Sequence, residues 1–152
     1  MALSNTEFET ILDDPSKKIV GDLAWSEDED HSPSVEFRAE VQSEGGWPLF
    51  IRASYNPLAA TLTYALILKT VGPVYRLDLG KDHHNPTCAQ VGEKHKHRWK
   101  EATQDKDAYV PEDITAPVTD PVAVWEQFLA EARIVHDGQL ASPPSAQGEL
   151  FI

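Results

Sequence analysis

Between residues 35 and 80 apolar and polar residues alternate with a period of two, in one stretch after another, and only a few residues separate the stretches. In "SVEFRAEVQ", Val35, Phe37, Ala39 and Val41 alternate with Glu36, Arg38 and Glu40, the pattern of a strand that buries one face. "WPLFIRASY" sets Trp47, Leu49, Ile51, Ala53 and Tyr55 on one side, and "ATLTYALILK" does the same with Leu62, Tyr64, Leu66 and Leu68. "KIVGDLAW" at 18–25 and "VYRLDLG" at 74–80 are two further candidate strands. Gly45–Gly46, Asn56–Pro57 and Gly72–Pro73 supply the breaks between them. A parallel crossover needs about a dozen residues or more, so strands joined this closely pair antiparallel.

Helices flank this region. Ser4 and Glu7 have capping-box spacing, with Leu3 and Phe8 placed as a hydrophobic staple. Phe8, Ile11 and Leu12 form the apolar stripe, and Pro15 follows the Asp13–Asp14 stop. In "TDPVAVWEQFLAEARIVHDG", Asp120 reads as the N-cap and Pro121 as the first helical residue. Trp125, Phe128, Leu129 and Ala132 repeat at helical spacing. Gly138 is the expected residue just past the end. The predicted fold is α+β: an antiparallel five- to six-stranded meander between an N-terminal and a C-terminal helix, one domain over 1–140. The remaining "ASPPSAQGELFI", 141–152, reads as a flexible tail.

No apolar run approaches the roughly 20 residues that span a bilayer. "MALSNTEFET" has neither the basic start nor the apolar stretch of a signal peptide. The single cysteine excludes an intramolecular disulfide, and together these features predict a cytoplasmic protein. The net charge of −12 is unevenly spread. Residues 76–106 hold seven Lys/Arg against five acids, for a net +2, while the rest of the chain holds six against twenty, for −14. The acidic run "EDED" at 27–30 reads as a solvated turn.

The basic island contains "KDHHNPTCAQVGEKHKHRWK", residues 81–100, with four of the six histidines and the only cysteine. "KHKHRWK" keeps the strand period: Lys94, Lys96, Arg98 and Lys100 point one way, and His95, His97 and Trp99 the other. Four cations are rarely buried together, so they are expected on the wet face. His95, His97 and Trp99 then turn toward the covered face of the sheet or a cleft beside it. Imidazole is both a common metal ligand and the usual proton carrier near neutral pH. Asn85–Pro86 forces an extended backbone after His84, so His83 or His84 could arch back over the pair. His84, His95 and His97 could hold zinc with one position open, or Cys88 could close the site. Alternatively, the histidines act as acid and base on an RNA phosphodiester. Arg76, Lys96 or Arg98 would then offset phosphate charge, and Trp99 or Tyr109 would stack on a base. His31 and His136 lie outside the cluster and read as loop residues.

Arg76-x-Asp78, His84-Asn85-Pro86, His95-x-His97-x-Trp99 and Ala108-Tyr109 together resemble a small uncharacterised prokaryotic family carrying R-x-D…H-x-N-P…H-x-H-x-[YW]. This chain departs from that pattern at His84, which Asn85 follows directly. The segment is more faintly similar to the His-rich stretch of TumE-like toxins. The resemblance covers 74–109 and implies a toxin–antitoxin or mobile-element context, with an antitoxin or a nucleic acid as partner. It implies Arg76, Asp78, His84, His95 and His97 as the functional positions. A different expectation follows from charge alone: a non-enzymatic module whose acidic surface meets a basic partner.

Overall fold

The computed structural model describes residues 3–81 and 92–144. Helix α1 (Asn5–Asp13) begins with the expected capping box: Glu7 N–H donates to Ser4 Oγ, and Ser4 N–H donates to Glu7 Oε1, each at 3.0 Å. Its buried face is Phe8, Ile11 and Leu12. Beyond its end, the Lys17 ammonium donates to the carbonyls of Ile11 at 2.5 Å, Leu12 at 2.8 Å and Asp14 at 2.7 Å, with the residue 0% exposed. The last carbonyls of a helix lack partners within it, and a cation there also meets the negative end of the dipole. Lys17→Met keeps the apolar stem and removes all three bonds. It should lower unfolding free energy by about 2–3 kcal/mol, the range for charged hydrogen bonds whose partners are left buried. An unchanged urea midpoint would show that water replaces the ammonium without penalty.

Strands β1 (Lys18–Val20), β2 (Ser26–Glu27), β3 (Val35–Val41), β4 (Leu49–Asn56), β5 (Thr61–Leu68), β6 (Gly72–Leu79), β7 (Lys94–Arg98) and β8 (Ala108–Tyr109) follow, then helix α2 (Pro121–Glu131) and β9 (Val135–Asp137). β2 to β8 form one seven-stranded sheet in sequence order, with every neighbouring pair antiparallel. The expected α+β meander is therefore present, extended by the short edge strands β2 and β8. The stretch 18–25 is not one strand: it supplies β1, and the chain then turns at Gly21 before β2. β1 pairs in parallel with β9, far away in sequence. Short connections ruled out parallel neighbours only within the meander.

Register assigns the two faces of the large sheet. One transverse row runs Phe37, Ala53, Tyr64, Leu77, Lys96, Tyr109; the next runs Arg38, Arg52, Ala65, Arg76, His97, Ala108. α2 covers the first face. Trp125 meets Phe37 edge-on at 5.4 Å between centroids, and Phe128 stacks on Tyr75 at 4.7 Å. Tyr64 and Tyr75 donate their hydroxyls to the carbonyls of Pro121 and Phe128, which satisfies the polar tips of otherwise buried rings. Asp120 caps α2 as expected, accepting from Ala123 N–H at 3.2 Å, with Pro121 in the first turn.

The helix does not run on to Gly138. It stops at Glu131, and Arg133 takes φ 54° while Ile134 N–H donates to the Leu129 carbonyl at 3.1 Å, a Schellman-type ending with arginine in the usual glycine position. Residues 135–137 are thereby freed to pair with β1. Ala141 is bonded at both backbone groups, to the Leu23 carbonyl and the Trp25 indole N–H; residues 145–152 lie outside the described residues. Among the described residues, no helix is long and apolar enough to cross a membrane.

Candidate metal centre

β7 alternates as its sequence predicts, with Lys94 exposed and His95 and His97 buried, but Lys96, expected on the wet face, is buried as well. Lys96 points to the helix-covered side and is 0% exposed. Its ammonium lies 2.5 Å from Asp113 Oδ2, 2.8 Å from Glu131 Oε1 and 5.2 Å above the Tyr75 ring. Lys94 donates to the Ile114 carbonyl, and Arg98 reaches both carboxylate oxygens of Glu9 at 3.1 and 3.2 Å. Cations are rarely buried unless paired. Here α1, α2 and the 110–114 segment supply the carboxylates and the carbonyl, none of which adjoins β7 in sequence. Trp99 does not share the histidine face either: it joins the apolar core, with its indole N–H on the Leu3 carbonyl at 2.8 Å. Tyr109 is on the Lys96 side and donates to Glu131 at 3.4 Å. Lys96, Arg98, Trp99 and Tyr109, expected to hold an RNA substrate, are thus apart from the histidines.

On the opposite face of the sheet, β6 and β7 bring Arg76, Asp78, His95 and His97 together. Asp78 stands directly across from His95, and Arg76 across from His97. His95, His97 and Asp78 are 2%, 0% and 6% exposed. A carbonyl oxygen can only accept, so His97 Nδ1, 2.6 Å from the Asp105 carbonyl, carries the proton. The same holds for His95 Nδ1, 3.0 Å from the Gly92 carbonyl. Both rings therefore turn Nε2 inward. His95 Nε2 lies 3.2 Å and His97 Nε2 3.6 Å from the same oxygen, Asp78 Oδ2.

Arg76 completes the cluster. Its Nε donates to Asp78 Oδ2 at 3.1 Å, one terminal nitrogen donates to His97 Nε2 at 3.0 Å, and the other reaches Asp105 Oδ2 at 3.2 Å. Thr63 Oγ1 donates to the second Asp78 oxygen at 2.6 Å, and Lys81 Nζ donates to that hydroxyl at 2.9 Å. Burial pushes the Asp78 carboxyl up, but its side-chain contacts with His95 and Thr63 and the Arg76 charge together outweigh it and hold the group down at about 2. Burial, and then the Arg76 charge, push His97 down to about 4. Asp78 is therefore an anion and His97 a neutral imidazole across the neutral range.

One nitrogen or oxygen from each of Asp78, His95 and His97 lies within 4.8 Å of the others, a buried group that could hold a metal ion. His84, His83 and Cys88, the remaining sequence candidates, lie outside the described residues. Sequence reasoning missed Thr63, Lys81 and Asp105. Thr63 follows once the β5–β6 register is known, because it faces Asp78 directly; nothing in the pattern around Asp105 marks it. His136 accepts from the Trp125 indole and donates to the Gly21 carbonyl; it ties α2 to the β1–β9 sheet.

The chain is thus an α+β protein with a buried Asp/His/His group on the sheet face that α2 leaves uncovered. It belongs to a family of unknown function (DUF6978), which matches residues 3–134 and so takes in both helices and the whole large sheet. No curated protein and no solved structure matches the chain significantly.

Proposed function

We propose that Asp78, His95 and His97 bind a divalent transition metal, zinc foremost, and that the protein works through this centre. The carrying observation is the pair of imidazoles whose Nδ1–H groups are committed to the carbonyls of Gly92 and Asp105 while both Nε2 atoms face one carboxylate oxygen. The Oδ2-to-Nε2 separations of 3.2 and 3.6 Å bracket the edge of a tetrahedron, about 3.3 Å for ligands bonded at about 2.0–2.1 Å. Backbone carbonyls that orient ligating imidazoles through Nδ1–H are the usual outer shell of such sites. Among the described residues the set offers three protein ligands, which with one further position for water or substrate would match a catalytic zinc site. Arg76, beside the ligands, supplies charge for an anionic group there.

The test is metal content and affinity of protein purified without a histidine tag. Close to one equivalent of zinc per chain is expected after loading and gel filtration. Uptake should weaken as pH falls, because the imidazoles must be neutral to coordinate. Protein that takes up no zinc, and whose melting neither zinc nor a chelator shifts, would exclude the site.

A second reading puts a proton where the first puts a metal. His95 and His97 would then act as acid and base, with Arg76 offsetting phosphate charge, in a toxin-like action on RNA read from the basic segment within the toxin–antitoxin context that the family resemblance implies. An antitoxin would be its partner. RNA cleavage by metal-free protein, lost in His97→Gln with folding kept, would favour this reading; intact RNA would oppose it.

A further inference from the structure

The sheet face that carries the centre also carries a row of like charges. Arg38 stands directly opposite Arg52, Arg52 opposite Ala65, Ala65 opposite Arg76, and Arg76 opposite His97. Neighbouring strands are about 4.8 Å apart, so the row runs about 19 Å across the sheet and ends at the centre. Like charges directly opposite on adjacent strands cost stability, and a fold under selection for stability alone would not set Arg52 against Arg38. Arg38 is partly compensated: it lies 3.7 Å over the Phe50 ring and donates to Glu40 at 3.0 Å. Arg76 is held by Asp78 and Asp105. Arg52 is exposed and, among the described residues, forms no ion pair with a carboxylate.

We propose that this row is a binding track for single-stranded nucleic acid, with backbone phosphates seated on Arg52 and Arg38 and the strand led toward the Asp78/His95/His97 centre. A guanidinium fork matches phosphate bidentately, and a sheet face bearing cations is a recurrent platform for extended single strands. An acidic peptide is the poorer occupant, because extended peptides are bound at sheet edges through backbone bonds, not across a face. On β3, Glu36 and Glu40 flank Arg38 and confine a polyanion to the row there. In a chain of net charge −12, such a track concentrates binding on one face and leaves the rest repulsive. This placement moves the nucleic-acid contact from the Lys94–Lys100 side, whose cations are already paired, to residues far from the histidine segment in sequence. The track rests on register and charge, and it stands whether a metal or a proton occupies the centre.

Fluorescence anisotropy with labelled oligouridylate and oligothymidylate at low salt tests it. Arg52→Glu should weaken binding by about tenfold or more, and Arg52→Ala should reduce the salt slope by about one. Both variants should melt at or above the parent temperature, since the opposing Arg38 is relieved. Lys18→Glu, on the β1–β9 sheet, should bind as the parent does. Binding of either strand supports the track and tells which sugar it accepts. No binding, an unchanged affinity in Arg52→Glu, or equal displacement by inorganic phosphate or polyglutamate at matched charge would overturn it. Zinc uptake by Arg52→Glu, measured alongside, should equal that of the parent; the track and the metal centre therefore fail or stand separately.

Discussion

Removing both carboxylates that face Lys96, in an Asp113→Ala/Glu131→Ala variant, is expected to cost about 3–5 kcal/mol, the range measured when one side of a buried pair is deleted and its charge is left behind. The Lys96 ammonium has no exposed surface, and the Tyr75 ring is a poor replacement for two anions. Domains of this kind are stable by about 5–15 kcal/mol, so the variant should be partly unfolded well below the parent's melting temperature. Lys96→Met should behave very differently. It keeps the volume, removes the buried charge, and leaves Asp113 and Glu131 with 46% and 29% of their side chains exposed and able to return to water. A change within about 1 kcal/mol is expected there, as when buried ion pairs are replaced by apolar residues of similar size. Urea unfolding followed by tryptophan fluorescence separates the two. Equal losses in both variants would mean that Lys96 is stabilised by its stem packing and not by its carboxylates.

The second large effect concerns the centre, and its sign differs from residue to residue. Asp78→Ala should weaken zinc binding by more than about 100-fold, since outer-shell changes alone cost about 10–100-fold and this one deletes a ligand. Arg76→Gln should do the reverse and tighten zinc binding. Arg76 occupies the two atoms a metal would use, with Nε on Asp78 Oδ2 and a terminal nitrogen on His97 Nε2. Its third contact, to Asp105, lies outside the ligand set and could keep the side chain anchored when the other two are given up. Competition with a chromophoric chelator measures both variants. If Arg76→Gln loses zinc along with Asp78→Ala, then Arg76 positions the ligands and does not compete with the metal.

Local periodicity carried the fold. Strand alternation at 35–41, 49–56 and 61–68, and the capped helices at both ends, are properties of a few neighbouring residues, and they appear where they were expected. β8 and β9 were not legible, because strands of two and three residues hold too little pattern. The end of α2 is not legible either: Arg133 takes the left-handed turn usually given to glycine, and packing, not residue type, sets that position.

The histidine segment shows where local reasoning stops. Sequence alone established that His95 and His97 share one face of a strand and Lys94, Lys96 and Arg98 the other, because a period of two is built into extended backbone. Which face meets the core depends on what waits there. Four cations read as a wet face only as long as no carboxylates are known, and Asp113, Glu131 and Glu9 come from segments distant in the chain. Tertiary structure alone decided that β6 sets Asp78 and Arg76 across from the two histidines, that Asp105 and Gly92 orient the rings, and that Arg38 and Arg52 line the same face. Each of these is a cross-strand or loop-to-strand contact. Such contacts are fixed by strand register and by desolvation in the folded chain, quantities that no window of neighbouring residues contains.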